Sequence, residues 1–156
     1  MVSARMGVAS WGNLMISCWR ETVDVEDVRA LFPQTDRMLT QYPDGIGTMN
    51  LITDNTVAPQ ESREVGGKQI RDLGPRLLCT SSVLLGGGFW IPAARAITSA
   101  INLLARRPLP TLITASLQDA ARWQAPLLGE LDGAAADGDR LQHFAAGLIE
   151  QFAAIK

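Results

Sequence analysis

Residues 8–11 and 14–19 are two short, mostly apolar stretches in which every second residue would face the same side of a strand, and Gly12 and Asn13 separate them. A period of two is typical of β-strands, and a two-residue connection that begins with glycine is a common hairpin turn. The pattern predicts a β-hairpin within the first twenty residues.

A helical period of apolar residues follows the hairpin. Its members are Val25, Val28, Leu31, Phe32, Met38, Leu39 and Tyr42. Thr22 or Asp24 can cap the start of the helix. Pro33 interrupts the stripe, because proline lacks the N–H group that a helix interior needs. We therefore expect either one helix kinked at Pro33 or two helices end to end.

Strand-like and helix-like stretches then take turns along the chain. The predicted order is a strand at 48–54, a helix at 59–73, a strand at 76–85, a helix at 93–107, a strand at 110–116 and a helix at 117–128. Adjacent Gly66 and Gly67 weaken the helix at 59–73 by about 1 kcal/mol each. We expect tight packing against a neighbour to be the reason for them.

This alternation predicts an α/β fold, because parallel neighbouring strands need a crossover helix between them. We expect a small mixed sheet of about five strands, mostly parallel, with the N-terminal hairpin in it and helices packed on it. Residues 1–128 form the predicted domain, and the Gly- and Ala-rich residues 129–138 form a predicted linker. A C-terminal amphipathic helix is predicted at 139–156.

The C-terminal helix has the clearest amphipathic pattern in the chain. Its stripe consists of Leu141, Phe144, Ala145, Leu148, Ile149, Phe152 and Ile155. Burying each large side chain of this kind stabilises a fold by about 1.5–3 kcal/mol. The stripe therefore docks either on its own domain or on a neighbouring subunit. In the second case Leu148 and Phe152 belong to a homodimer interface.

Charge and hydropathy exclude several classes of partner. The net charge is −2 over 156 residues, and Arg106-Arg107 is the one adjacent pair of bases, so we expect no nucleic-acid binding. The longest apolar stretch, 83–94, contains three glycines and a proline and is too short to span a bilayer, so we expect no membrane insertion. The first residues carry no apolar core of signal-peptide length, and we expect a cytoplasmic protein.

The sequence contains no pattern typical of a metal or cofactor site. Cys18 and Cys79 lie in strand-like runs without a second Cys or His at ligand spacing, which favours small buried side chains over a metal site. His143 flanks the apolar stripe of the last helix, where a solvated or partly buried side chain is the expectation. We predict no metal, no cofactor and no catalytic residue.

The glycines at 86–88 stand between a strand-like run and a helix-like run, where a phosphate-binding loop would lie. They lack the spacing of a dinucleotide fingerprint, and no lysine and hydroxyl pair follows them as in a P-loop. Pro92 also removes a backbone donor near the helix start. We expect these glycines to turn a corner that Phe89 and Trp90 cover.

Enzymatic activity has little support in the sequence. No Gly-x-Ser-x-Gly nucleophile elbow occurs. Asp54 follows a strand, where α/β sites collect, and Glu61, Glu64 and Arg95 are the charged residues that could accompany it. A lone loop aspartate more often caps a turn, so we predict that the protein is not an enzyme.

Three stretches carry a family resemblance: RETVDVEDV at 20–28, YPDGIGTMNLITDN at 42–55 and SSVLLGGGFWIPAARAITSAINLLARRPLPTLITASLQDAARW at 81–123. Over residues 6–128 the chain resembles stand-alone bacterial domains of the STAS type, named for sulfate transporters and anti-sigma-factor antagonists. The resemblance implies a small mixed sheet with helices packed on it. It also implies a regulatory or protein-interaction module.

The resemblance points to a candidate modification as well. In phospho-regulated STAS domains a serine near the start of the second main helix accepts phosphate, and Thr56 and Ser62 are the hydroxyls nearest that place here. The alternative for both is an ordinary cap or turn hydroxyl.

Two functions follow from these observations. The first is a non-catalytic, STAS-like interaction or regulatory module with an unidentified protein partner. The alternative is a binder of a small apolar or lipid-like ligand, held in a cavity between sheet and helices. The candidate lining residues of that cavity are Trp11, Trp19, Phe89 and Trp90.

Overall fold

A computed structural model of the protein describes residues 5–53, 56–86, 109–129 and 137–154. The predicted hairpin is present. Strand β1 spans Met6–Trp11 and β2 spans Leu14–Trp19, paired antiparallel so that Trp11 faces Leu14 across the turn. Gly12 has a φ of 54° at the turn, a left-handed conformation that glycine adopts at no steric cost.

Two helices lie end to end between β2 and the next strand. Helix α1 spans Val25–Arg29 and α2 spans Phe32–Gln41. Pro33 stands in the first turn of α2, where its missing N–H has no partner to lose. Asp24 is the cap of α1 and exchanges hydrogen bonds with Asp27 in a capping box. The two-helix alternative is therefore confirmed.

The remaining described elements follow the predicted order. Strand β3 spans Ile46–Ile52, helix α3 Gln60–Leu73, strand β4 Leu77–Leu84, strand β5 Thr111–Thr114, helix α4 Leu117–Gln124 and helix α5 Gly138–Ala153, with short 3-10 turns after α3 and α4. Ser116 caps α4 by accepting from the N–H of Asp119. The predictions for the helix at 93–107, for Gly87 and Gly88, and for most of the linker lie outside the described residues.

The five strands form one mixed sheet in the order β1-β2-β3-β4-β5. β1 and β2 are antiparallel, while β2, β3, β4 and β5 run parallel to their neighbours. The predicted α/β class, with a mixed and mostly parallel sheet, is confirmed.

Each face of the sheet is covered by its own set of helices. Alternate side chains of the strands point to opposite faces of the sheet. Those on one face pack on α4 and α5, and those on the other face pack on α1, α2 and α3. Leu14, Ile16 and Cys18 of β2 lie on the first face, and Met15 and Trp19 lie on the second. We call these the α4/α5 face and the α1–α3 face.

Helix α5 packs on its own sheet. Its contacts are with α4 and with strands β1 and β2. Leu141, Leu148 and Phe152 are buried in the core of the α4/α5 face. These residues of the apolar stripe are therefore buried within the chain itself. Homodimerisation remains a prediction.

Candidate functional site

A cavity of about 240 Å³ lies on the α1–α3 face, between the sheet and the helices. It is lined from strands β2, β3 and β4, from α1, α2 and α3, and from the segment before α3. Its apolar lining includes Met15, Trp19, Val28, Ile52, Ile70 and Leu77. A dry cavity of about 150 Å³ holds benzene in an engineered protein, so this space suits a small organic molecule.

The floor of the cavity is polar. Thr48 and Asn50 of β3 and Thr80 and Ser82 of β4 line it, and Ser17 lies beside Asn50 in β2. Thr48 Oγ1 donates to Thr80 Oγ1 over 2.8 Å, and Ser17 Oγ donates to Asn50 Oδ1 over 3.0 Å. Because these groups bond to one another, the floor is oriented before any ligand arrives. In the sequence, the hydroxyl and amide residues within strands β3 and β4 are the signal that could have predicted this floor.

Helix α3 forms one wall of the cavity, and Gly66 is where it lacks a side chain. A Cβ built on Gly66 would lie 3.9 Å from Cγ1 of Val28, an ordinary contact distance, with no closer atom among the described residues. The prediction that tight packing explains Gly66 is therefore wrong. The residue lines the cavity instead, and a larger side chain there would extend into it.

The N-terminal end of α3 lies where the parallel strands end, the edge at which α/β proteins usually bind ligands. Thr56 connects this end to the sheet by donating from Oγ1 to the carbonyl oxygen of Trp19 over 2.9 Å. Ser62 and Arg63, in the first turns of α3, both line the cavity. No side chain caps α3, whose N-cap residue is Pro59.

The two predicted phosphoacceptors belong to this end of the cavity. Ser62 is 3% exposed and Thr56 is 8% exposed. Within the part of the chain that the structure describes, the hydroxyl of Ser62 has no hydrogen-bond partner, whereas Thr56 bonds to Trp19 and to Thr53. A kinase would reach either hydroxyl only after local opening of the chain, and phosphorylation remains a prediction.

The aromatic residues predicted to line one cavity lie on opposite faces. Trp19 is buried on the α1–α3 face, lines the cavity and donates from Nε1 to Ser17 Oγ over 2.7 Å. Trp11 packs with the α4/α5 face, 4.7 Å from Phe144 between ring centroids. Phe89 and Trp90 lie outside the described residues.

A second polar cluster holds the α4/α5 face together, and no pattern in the sequence predicted it. Gln124 is fully buried, accepts from Ser81 Oγ over 2.7 Å and donates to the carbonyl oxygen of Thr48 over 2.8 Å. Asn13, also fully buried, donates to the carbonyl oxygens of Gly45 and Leu128. These bonds fix the end of α4 and its following 3-10 turn on the sheet, so their role is structural.

Both cysteines are free and buried, as their sequence context indicates. Burial raises the pKa of the Cys18 thiol from 9.0 to about 11, and it raises the pKa of Cys79 to the same value. The described residues contain no cluster of three or more His, Cys, Asp or Glu side chains that could hold a metal ion. His143 is exposed on α5.

The raised thiol pKa values predict a pH dependence of stability. The folded protein keeps these protons to a higher pH than the unfolded chain does. The stabilisation is therefore complete below about pH 9 and is lost as the pH rises towards 11. Urea unfolding at pH 8 and pH 10.5 should show a smaller loss of stability for the Cys18→Ala/Cys79→Ala variant than for the wild type. An equal loss of stability between pH 8 and pH 10.5 in the two proteins would contradict the raised thiol pKa values.

The charged residues considered for catalysis do not form a described site. Glu61 and Glu64 are exposed on α3, where Glu64 accepts from Gln60. Asp54 and Arg95 lie outside the described residues.

No described helix has the length and hydropathy to cross a membrane.

No protein-family model, no curated protein and no solved structure matches the chain.

Proposed function

We propose that the protein is a STAS-like regulatory module whose function is to bind a small, mostly apolar molecule in the cavity of the α1–α3 face. The observation that carries the proposal is the cavity itself, about 240 Å³ between apolar helix walls and a polar floor. It favours the ligand-binding alternative over the protein-interaction role that the sequence placed first.

The chemistry of the lining supports binding rather than turnover. Its polar residues carry hydroxyls and amides, and Arg63, which is exposed to solvent, lines its edge. Such groups donate and accept hydrogen bonds but do not exchange protons near neutral pH. The glycine at 66 supports the proposal as well, since an alanine would be a better helix former at that position.

A cavity-filling variant tests this function. We expect 1-octanol to bind the wild type and to shift the amide NMR signals of Gly66 and Thr80. The variant Gly66→Leu should weaken that binding at least about tenfold, because its side chain occupies the space. Gly66→Ala is the matched control. It should keep most of the affinity and raise the free energy of unfolding by about 0.8–1 kcal/mol.

If octanol shifts neither signal, the cavity is not a ligand site and the proposal fails. Equal binding by the wild type and Gly66→Leu would place the octanol elsewhere and would also overturn it. Affinity purification from the native host, followed by mass spectrometry, separates a co-purified ligand from a protein partner. It therefore tests the interaction role, which remains a prediction.

A further inference from the structure

The charges around the cavity point to the chemical class of its ligand. Arg63 is the charged residue among the described lining residues, and no acidic side chain belongs to that lining. The positive end of the α3 dipole lies at the same end of the cavity. The first four N–H positions of a helix lack partners within it. The N-cap of α3 is Pro59, which has no N–H group, and no side chain caps the three that follow. Glu61 and Glu64, in the first turns of α3, are exposed and lie outside the lining, so within the cavity this end favours a negative group.

Ser62 provides an independent indication. Ser62 lines the cavity and is 3% exposed, and its hydroxyl has no hydrogen-bond partner among the described residues. An unpaired buried hydroxyl destabilises a fold by about 1–3 kcal/mol. Such groups call for an explanation, often a bound group that is not part of the chain. A ligand head group at the start of α3 would supply the missing partner.

The opposite end of the cavity is apolar where α3 ends and β4 begins. Leu73 and Leu77 line it there. A molecule that fills the cavity therefore meets a cation and a free hydroxyl at one end and leucine side chains at the other. One guanidinium matches a single negative charge, and a planar carboxylate fits its paired donors.

Resting on the proposed binding function, we propose that the ligand is a small monocarboxylate. Its carboxylate lies at the N-terminal end of α3, bound by Arg63 and Ser62. Its apolar body extends along α3 towards Leu73. The body has the size of one aromatic ring or a short acyl chain, as the volume of about 240 Å³ allows.

Three probes of equal chain length separate the head group from the body. Octanoate, 1-octanol and octylamine are titrated into the full chain at neutral pH and followed by calorimetry and amide NMR. We expect octanoate to bind at least about tenfold more tightly than octanol, since hydrogen bonds to charged groups are the stronger ones. Octylamine should bind most weakly. Raising the salt concentration should reduce the preference for octanoate.

Two variants assign the preference to residues. Arg63→Gln should reduce octanoate affinity about tenfold and change octanol affinity by less than about twofold. Arg71→Gln, on the same helix but outside the lining, is the matched control and should change neither. Ser62→Ala should weaken octanoate binding while leaving the thermal stability of the unliganded protein unchanged or higher, because it removes an unpaired buried hydroxyl.

The outcomes distinguish the two proposals. Equal affinities for octanoate and octanol, or a preference for octylamine, would overturn the carboxylate assignment and leave the binding function standing. An octanoate preference that survives Arg63→Gln would also overturn it. If none of the three probes binds, both proposals fail together.

Discussion

Replacing Phe152 with alanine is expected to lower the free energy of unfolding by about 3–5 kcal/mol, measured by urea denaturation. Phe152 is 3% exposed near the end of α5 and belongs to the core of the α4/α5 face. Its ring packs against the backbone of Gly7 in β1, where a built Cβ would lie 3.1 Å from Cδ2 of the ring. The guanidinium carbon of Arg20 lies 4.6 Å from the ring centroid and adds a cation–π contact.

Gln151→Ala is the control, because Gln151 is the exposed neighbour of Phe152 on the same helix. It should change the free energy of unfolding by less than about 0.5 kcal/mol. The variant Leu148→Asp/Phe152→Asp, studied by size-exclusion chromatography with light scattering, examines the homodimer prediction. A dimeric wild type and a folded, monomeric variant would mean that α5 packs on a partner rather than on its own sheet.

Gly47→Ala is expected to lower the free energy of unfolding by about 1–3 kcal/mol through overpacking. A Cβ at this position in β3 would lie 2.5 Å from Cδ2 of Leu128, 3.1 Å from Sγ of Cys79 and 3.2 Å from Nε2 of Gln124. The first of these distances is too short for two non-bonded carbons. Relief requires movement of the buried Leu128 side chain or of the segment that Gln124 and Asn13 hold against the sheet.

The matched substitution is Gly147→Ala in α5, where no described atom lies within 4 Å of a built Cβ. Alanine at this helical position should raise the free energy of unfolding by about 0.8–1 kcal/mol. The two glycine variants should therefore move the urea midpoint in opposite directions. A shift of the same sign in both would contradict the close approach described at Gly47.

Local patterns predicted the elements well because their causes are local. Asp24 and Ser116 cap their helices through bonds that reach three residues along the chain. Pro33 ends one helix and begins another for a reason confined to its own ring and N–H group. Alternation along β2 and β3 likewise reports which side chains face which side of the sheet.

The candidate site was harder to predict, because distant segments build it. Trp19 lines the cavity, but periodicity could not show that Trp11 packs on the other face of the sheet. Ser62 was noticed for a family resemblance and not for its buried, unpaired hydroxyl. Tight packing was the predicted reason for Gly66, because a cavity beside a residue cannot be recognised from the sequence alone.

The packing of α5 on β1 has a consequence for synthesis of the chain. Phe152, which covers Gly7, emerges from the ribosome 145 residues after it. Until α5 has been made, its place over β1 and β2 stays empty, and Leu14 and Ile16 lack part of their apolar cover. Contacts this distant in sequence also slow folding. The nascent chain therefore exposes a hydrophobic sheet face to chaperones and to other chains for most of its translation.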